Sequence, residues 1–307
     1  MSDKLNLNEP RFTNEEAARK HLEAIRWPQG PVCPHCGGIE RNSLLQGESH
    51  RPGLYFCGDC RTQFTVTVGT VFERSKIPLH KWVLATHLLC ASKKGMSSKQ
   101  IERMLGVTYK TAWFMTHRIR EAMNPNASGK LGSGGGTVEV DETYIGNKKG
   151  RKRHRGMAHK HAVFSLVERS GKVRSFHVAN VRAETLRPII KAHMDNKAHL
   201  MSDDAGQYRI LGQVSASHGV INHSSKEYVR GNVHTNTIEG CFSLLKRGIN
   251  GTFHHVSEQH LQRYVNEFDF RYNHREKLGY TDAERTTAAL KGISHKRLTY
   301  RRINGAA

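Results

Sequence analysis

Two pairs of closely spaced cysteines constrain the fold of this chain more than any other feature. Cys33 and Cys36 form one Cys-x2-Cys knuckle, Cys57 and Cys60 form the other, and 20 residues separate the pairs. Each knuckle can direct two thiolates at one ion, and four thiolates close a tetrahedral site that has no open position for chemistry. We therefore expect one structural Zn²⁺ in a small module. Two local disulfides are the alternative interpretation.

The chain carries a large positive charge. Among 307 residues, 48 Lys and Arg stand against 27 Asp and Glu, which gives a formal net charge of +21. A small soluble domain needs a net charge of only about 2 to 8. The excess favours a polyanionic partner, most simply nucleic acid.

The apolar residues are spread in a way that argues against a membrane partner. No apolar run approaches the roughly 18 residues of a membrane-spanning helix, and the first 16 residues contain no apolar signal core. Six cysteines, four of them in two close pairs, do not resemble the disulfide framework of a secreted protein. We expect a cytoplasmic protein with reduced thiols.

Changes in composition along the chain predict several domains, as a length of 307 residues does. Residues 1–78 are expected to hold an N-terminal helix, capped by Thr13-x-x-Glu16, and the cysteine module. Residues 79–123 are predicted to be helical. Residues 124–136, rich in Gly, Ser and Asn, are predicted to be a flexible linker, 137–280 an α/β domain, and 281–307 a basic C-terminal tail.

The segment 97–123 has the spacing of a helix-turn-helix. Ser97 begins a short helix, Gly106 lies in a turn, and a longer helix follows from Tyr109. Three helices packed as a simple bundle are the alternative. In the DNA-binding interpretation, residues near the start of the second helix reach base edges or phosphates and an arginine further along reaches the DNA backbone. These residues are Tyr109, Lys110, Thr111 and Arg118.

After residue 136 the pattern changes to strands alternating with helices, which predicts an α/β domain. The predicted strands are rich in residues that favour β-structure, and the segments between and after them are predicted to be helical. The predicted strands are 137–146, 161–168, 173–181, 198–204 and 219–224, and the predicted helices are 184–194, 237–249 and 257–273.

Three acidic residues form a candidate catalytic site in a chain with few acids. Asp141 and Asp203 are each interpreted as lying at the end of a β-rich run, and Glu239 lies in a predicted helix. Two strand-end aspartates and a facing glutamate can hold two divalent ions roughly 4 Å apart, an arrangement that suits in-line displacement at a phosphodiester. Oxygen ligands favour Mg²⁺ or Mn²⁺ as those ions.

Strand alternation alone leaves the choice of carboxylates open. Asp141 shares a face of its strand with Glu139, whereas Glu142 lies on the opposite face. Alternation does not decide between Asp203 and Asp204.

The helix glutamate has a structural alternative. Asn236-x-x-Glu239 matches a capping box, in which the glutamate only satisfies the first backbone amides of the helix. Lys246 lies two helical turns after Glu239 on the same face, where it can contact a phosphate.

Longer strings in the chain resemble a known family. VEVDETYIG, SDDAGQY and HTNTIEGCFSLLKRGINGTFHHVSEQHLQRYVNEFDFRYNHR are similar to bacterial insertion-sequence transposases of the DDE superfamily, in the zinc-ribbon-bearing, ISXO2-like branch. The resemblance implies an α/β ribonuclease H-like catalytic domain preceded by a zinc ribbon and a helix-turn-helix. It implies a triad of Asp141, Asp203 and Glu239, with Lys246 as the basic residue after the glutamate. Members of this branch can place Asn or His at the third position, which keeps Asn236 and His234 as alternatives to Glu239.

The resemblance also implies a function. A transposase of this branch binds the terminal inverted repeats of its element as double-stranded DNA, cuts, and joins the ends to target DNA, working as a homo-oligomer on the DNA. A DNA-binding regulator with an inactive α/β domain, and a nuclease that hydrolyses without joining, are the alternatives.

A basic loop follows the strand that carries Asp141. Residues 147–161 contain seven Lys or Arg and three His, and residues 291–302 form a second basic cluster. A basic loop beside a metal site is well placed to hold a DNA backbone without reading its sequence. The loop residues predicted to contact DNA are Lys148, Lys149, Arg151, Lys152, Arg153 and Arg155.

Overall fold

The computed structural model describes residues 6–124, 129–150, 156–208 and 214–299. The chain divides into two compact units, one comprising Met1–Asn124 with Tyr280–Ala307 and the other Pro125–Gly279. In the described ranges, no helix has both the length and the apolar character needed to cross a bilayer.

The first unit begins with two helices and a small sheet. Helix α2 is capped by Asn14, whose side-chain oxygen accepts a hydrogen bond from the Ala17 amide at 2.9 Å. The predicted cap at Thr13 is therefore wrong by one residue, because Thr13 ends the preceding helix. A three-stranded antiparallel sheet of order β1-β2-β3 follows. The elements are α1 (Pro10–Thr13), α2 (Glu15–Arg26), β1 (Asn42–Leu44), β2 (Tyr55–Cys57) and β3 (Gln63–Phe64).

Three helices follow, α3 (Leu79–Ala91), α4 (Ser98–Leu105) and α5 (Tyr109–Ala122). Helix α3 ends at Ala91, and Ser92 is its C-cap residue. Ser97 caps α4 as predicted, and Gly106 ends it in a left-handed conformation with φ of 59°.

The packing of α4 and α5 follows the helical spacing of their apolar residues. Ile101 and Leu105 of α4 are buried, whereas Met104 is 48% exposed. In α5, Ala112, Met115 and Ile119 are all buried.

The end of the chain also packs into the first unit. Residues Asp282–Lys291 form helix α9, with a capping box between Thr281 and Glu284, and α9 packs against α3. Leu290 and Ile293 are fully buried. The predicted basic tail is therefore part of a folded core over residues 282–293, because its apolar residues recur at helical spacing.

The second unit is built on a five-stranded mixed sheet, which confirms the predicted α/β class. The strand order is β6-β5-β4-β7-β8, in which β4, β5 and β6 pair antiparallel while β7 and β8 pair parallel. The strands are β4 (Thr137–Ile145), β5 (His161–Glu168), β6 (Val173–Val178), β7 (His199–Asp203) and β8 (Ser217–Ile221).

Helices cover both faces of this sheet. Helix α6 (Ala183–His193) packs on the face that includes Val138 and Val140. Helices α7 (Asn236–Gly248) and α8 (Glu258–Asn273) contribute to an apolar cluster on the other face. Successive residues of a strand point to opposite faces, so each carboxylate of β4 belongs to one layer only.

The segment predicted as a flexible linker is ordered over residues 129–136. Leu131 is buried, its amide donates to the His193 carbonyl at 2.8 Å, and its carbonyl accepts from the Asp195 amide at 2.8 Å. Gly132 has a φ of 73°, and a Cβ there would lie 2.5 Å from the Ala198 Cβ. A flexible linker is therefore the wrong description of 129–136, while residues 125–128 lie outside the described ranges.

We expect Gly132→Ala to destabilise the second unit more than Gly134→Ala. Both glycines have positive φ, so both substitutions strain the backbone by roughly 1 to 2 kcal/mol. Only at residue 132 does the new methyl group clash, because nothing lies within 4 Å of the position at residue 134. Urea unfolding should give Gly132→Ala a free energy of unfolding about 1 to 3 kcal/mol lower than that of Gly134→Ala. Equal stabilities of the two variants would contradict the packing of this segment.

Candidate active site

The four paired cysteines come together in the first unit. The Cys33 and Cys60 Sγ atoms are 3.6 Å apart, as are those of Cys36 and Cys57, and all four lie within 4.8 Å of one another. Tetrahedral Zn–S bonds of about 2.3 Å place sulfur atoms about 3.8 Å apart. All four cysteines are free thiols. The geometry fits one tetrahedral zinc ion and not two local disulfides.

The strand pairing of the second unit brings the two predicted aspartates together. Strands β4 and β7 run parallel, with Glu139 opposite Met201. Two residues further along both strands lie Asp141 and Asp203, so the two aspartates are neighbours. Asp203 is the last residue of β7, as predicted, whereas Asp141 lies in the middle of β4 and not at its end. Burial, followed by the charge of Glu142, raises the pKa of Asp141 to about 8, and Asp203 and Glu239 also contribute.

The alternative aspartate, Asp204, makes a different contact. The Asp204 Oδ2 accepts a hydrogen bond from the Ser224 hydroxyl at 3.4 Å. Asp203 Oδ1 accepts from the Ala205 amide at 3.1 Å, and burial raises the pKa of Asp203. Asp203 is also the residue in register with Asp141, which favours it as the second ligand.

Glu239 lies in the first turn of α7. The helix begins at Asn236 and is preceded by Thr235, whose side chain makes no capping bond, so the alternative capping box at Asn236 is wrong. The Thr235 hydroxyl donates instead to Glu239 Oε1 at 3.1 Å, and about half of the glutamate side chain stays exposed. His234, a sequence alternative, lies with its Nδ1 3.4 Å from Glu139 Oε1.

The three carboxylates suit a hard cation by their chemistry. Each offers oxygen donors. Burial and then the charge of Glu142 are the main causes of the raised pKa of Asp141, and Asp203 and Glu239 add to it, so a divalent cation among the carboxylates would offset this repulsion. They are more widely spaced than the cysteines. Among the described residues, the triad is not one of the groups whose ligand atoms all lie within 4.8 Å of one another.

Sequence reasoning missed the role of Glu139. This carboxylate is fully buried and accepts hydrogen bonds from Arg169 Nε at 2.7 Å, the Thr237 hydroxyl at 2.9 Å and the Ile238 amide at 2.9 Å. It therefore fastens the first turn of α7 to β4, two residues from Asp141. The signal was present in the sequence, since a lone acid between Val138 and Val140 must find partners when its strand is buried.

Glu142 is held by other side chains. It accepts a hydrogen bond from the hydroxyl of the buried Tyr208 and another from Gln207 Nε2 at 3.0 Å. These contacts lie on the side of β4 opposite Asp141, as alternation predicted, and they occupy both carboxylate oxygens. The two partners come from the short turn after Asp203, so Glu142 connects the middle of β4 to the end of β7.

Lys246 lines a cavity that extends to Glu142. The cavity has a volume of about 370 Å³, and its lining includes Glu142, Tyr144, Lys160 and Lys246. Lys246 is exposed, so its ammonium group is available to a ligand in this cavity.

The residues predicted to contact DNA have different environments. Tyr109 and Lys110 are exposed at the start of α5, Thr111 is half-buried, and Lys149 is exposed while Lys148 is half-buried. The prediction for Arg118 is wrong. Its Nη1 donates to the Glu73 carbonyl at 3.1 Å and its Nε to the Leu298 carbonyl at 3.2 Å.

The buried guanidinium of Arg118 therefore supports the fold of the first unit. The remaining predicted residues lie outside the described ranges, namely Arg151, Lys152, Arg153 and Arg155.

Both modules match known families. Residues 134–273 match the ISXO2-like transposase domain, and residues 13–63 match the transposase zinc-ribbon domain. A sequence described as an uncharacterized protein in transposable element ISH50 of Halobacterium salinarum is 30% identical over 283 residues, which cover 85% of this chain and 91% of that protein. The zinc-ribbon module and the DDE domain together define a transposase. The chain belongs to the ISXO2-like transposase family.

Two further similarities are weaker. An uncharacterized transposase-like protein of Haemophilus influenzae is 29% identical over 105 residues, which cover 34% of this chain and 84% of that protein. The crystal structure of a pre-cleavage Mos1 transpososome gives a TM-score of 0.24 at 12% identity, covering 68% of this chain and 74% of that chain. This structural likeness is too low to carry an argument. The family resemblance seen in the sequence is confirmed, and a bacterial origin stays a prediction.

We expect Cys57→Ser to remove the tightly bound zinc of the first unit. Cys57 is fully buried at the end of β2, and a serine hydroxyl is a poor zinc ligand. After dialysis, elemental analysis should find about one zinc per chain in the wild type and almost none in the variant. Cys241→Ala is the control, because Cys241 is remote from the cluster in sequence and is not one of its four ligands. Retention of zinc by Cys57→Ser would contradict the four-thiolate site.

We expect Asp141→Asn to stabilise the metal-free protein as pH rises. The pKa of Asp141 in the folded state is raised from 3.8 to about 8. Ionising this group therefore opposes folding, and the loss of stability grows as the pH rises from the lower to the higher of these values. The free energy of unfolding of the variant should exceed that of the wild type by roughly 1 to 3 kcal/mol at pH 8 and by almost nothing at pH 4. Urea unfolding at both pH values measures the difference.

Mg²⁺ provides the second arm of this test. It should raise the melting temperature of the wild type and of Asp204→Asn, and much less that of Asp141→Asn, because ligands stabilise only the state that binds them. An equal response from all three proteins would place the ion elsewhere.

Proposed function

We propose that this protein is a DNA transposase that binds the terminal inverted repeats of an insertion sequence and catalyses DNA cleavage and strand transfer. The observation that carries the proposal is the register of β4 and β7, which makes Asp141 and Asp203 neighbours in a member of a transposase family. Glu239 completes the proposed triad, since its charge contributes to the raised pKa of Asp141.

A ribonuclease H-like fold is the proposed architecture of the second unit. Three antiparallel strands are followed by α6 and two parallel strands, with helices on both faces. This order supports the proposal because it brings an aspartate of the first strand beside one of the fourth.

The proposed chemistry divides between ions and side chains. Two bound Mg²⁺ or Mn²⁺ ions would activate the attacking oxygen and stabilise the leaving 3′ oxygen of the phosphodiester. Asp141, Asp203 and Glu239 would hold the ions. Thr235 orients the Glu239 carboxylate through its hydroxyl, and Glu139 fixes the helix that carries it.

Lys246 is proposed to bind a DNA phosphate. It is exposed and borders the cavity beside Glu142, together with Lys160. Two ammonium groups at one cavity would attract a phosphodiester, and they would place its phosphorus near the carboxylates without contacting bases.

Recognition of the terminal repeats is assigned to the first unit. Helices α4 and α5 with the turn at Gly106 are proposed to act as a helix-turn-helix beside the zinc ribbon. Lys110 and Thr111 border a cavity of about 320 Å³ that Arg74 and Lys76 also line, so basic side chains surround the exposed start of α5. Assembly as a homo-oligomer on the DNA is part of the proposal.

We expect Asp141→Asn, Asp203→Asn and Glu239→Gln each to abolish strand transfer while leaving DNA binding intact. Each change removes a ligand charge with little change in shape, and losses of about 100-fold or more are expected for a residue that acts directly in the chemistry. The measurement is strand transfer of an end-labelled terminal-repeat duplex in Mg²⁺, with binding followed by gel shift.

Asp204→Asn is the matched control and should keep most of the activity. Activity lost in Asp204→Asn and kept in Asp203→Asn would move the ligand by one residue. Full activity in Asp141→Asn would rule out the proposed triad, and a wild type that binds repeats without cutting them would favour a regulator.

We expect the double variant Lys148→Gln/Lys149→Gln to bind DNA with a weaker salt dependence. Each phosphate that the variant no longer neutralises should reduce the slope of log affinity against log salt by about 1. Repeat preference should be unchanged, because it is assigned to the first unit. The measurement is a titration of repeat and non-repeat duplexes at several salt concentrations. Loss of preference at a constant slope would contradict this division of roles.

A further inference from the structure

A second cluster of metal-ligand side chains lies in the second unit, away from the carboxylate triad. His161 at the start of β5, His177 on β6 and Glu258 at the start of α8 have ligand atoms that all lie within 4.8 Å of one another. Within the described part of the chain, this group and the four cysteines are the ones that meet this distance. The proposed transposase chemistry makes no use of these three residues.

The sheet and helix α8 bring the three side chains together. Val163 pairs with His177, and His161 lies two residues before Val163, so both imidazoles point to the same face of the sheet. Gln262 fixes α8 against β6, because its Oε1 accepts from the His177 amide at 2.6 Å and its Nε2 donates to the Ser175 carbonyl at 3.0 Å. Glu258 lies one turn before Gln262 on the same helix face, over the two histidines.

One of the ligand atoms is buried without a partner. His161 is 3% exposed, and among the described residues its Nδ1 has no hydrogen-bond partner. Glu258 Oε1 lies 3.8 Å from this nitrogen, too far for a hydrogen bond. A buried nitrogen without a hydrogen bond destabilises the fold, unless something other than the polypeptide satisfies it.

We propose that His161, His177 and Glu258 bind one divalent transition-metal ion of borderline hardness, Zn²⁺ in the first instance. Two imidazoles and one carboxylate favour such an ion over Mg²⁺, which prefers oxygen ligands throughout. Burial, followed by the charge of His161, lowers the pKa of His177, so its imidazole is neutral and able to coordinate at pH 7. The positive charge of Lys148 also acts on His177 and opposes a cation, which makes this site weaker than the thiolate site.

The arrangement differs from that of the structural zinc. Three protein ligands leave a fourth position, and the exposed Glu258 side chain leaves one side of the site open to water or to an oxygen of a bound partner. The ion would join β5, β6 and the start of α8. It lies apart from the triad, because His161 pairs with Ile145 and Asp141 pairs with Ser165, four residues or about 13 Å along the strand. The proposal does not depend on the transposase function.

The test is a Zn²⁺ titration of the full-length protein with its thiolate site already loaded. Excess Mg²⁺ is kept present so that oxygen-ligand sites are filled, and a chromophoric chelator reports free Zn²⁺. The wild type should bind one further Zn²⁺ per chain. His177→Ala should lose this ion, and Glu258→Gln should weaken it by at least the roughly tenfold that loss of an outer-shell partner causes.

His255→Ala is the matched control, because His255 is an exposed histidine outside the cluster, and it should bind as the wild type does. Co²⁺ added to protein whose thiolate site already holds zinc should give a weak visible spectrum that has no thiolate charge-transfer bands. This spectrum should be absent when Co²⁺ is added to His177→Ala. Circular dichroism checks the fold. Should His177→Ala unfold, Glu258→Gln decides, because its side chain is largely exposed. No further ion in the wild type, or equal uptake by Glu258→Gln and His255→Ala, would overturn the proposal.

Discussion

The buried carboxylate of Glu139 is the interaction on which the candidate active site depends. It accepts hydrogen bonds from the Ile238 amide, the Thr237 hydroxyl and Arg169, so it joins β4 to the start of α7. A buried charge without these partners would be strongly destabilising. Since Asp141 lies two residues along the same strand and Glu239 lies in the same helical turn, one buried carboxylate sets the distance between two of the proposed metal ligands.

The distribution of charge fits a protein that handles DNA with metal ions. The chain has an excess of 21 positive charges, yet several of its few acids converge where the end of β7 lies beside the middle of β4. Burial and neighbouring carboxylates raise the pKa of Asp141 to about 8, so the site is under electrostatic strain until a cation enters. Lysines at its edge, including Lys246, supply the opposite charge for a phosphate. The proposed chemistry uses the carboxylates to hold metal ions and the lysines to bind a phosphate.

Local sequence patterns predicted many of the helices and strands. Contacts between distant parts of the chain explain the features that these patterns did not predict. Alternation predicted β4 within one residue and placed Asp141 and Glu142 on opposite faces, because strand periodicity depends only on sequence. The local sequence pattern did not predict the ordered structure around Leu131, because this structure depends on hydrogen bonds to the backbone of residues 193 and 195, far along the chain. Arg118 was assigned to DNA because a helical arginine that binds carbonyls inside the fold has the same local sequence pattern as one that binds phosphate. The partners of Glu139 were likewise invisible before the helices were placed.

A crystal soaked in Mn²⁺ is the decisive experiment for the proposed triad, because anomalous scattering locates the ions independently of activity. We expect two Mn²⁺ peaks where the end of β7 lies beside the middle of β4, with the oxygens of Asp141, Asp203 and Glu239 directly bonded to them. Glu142 should keep its hydrogen bond from Tyr208. Ions bound by Glu142 or Asp204 in place of Asp141 and Asp203, or no ion at this edge of the sheet, would contradict the triad.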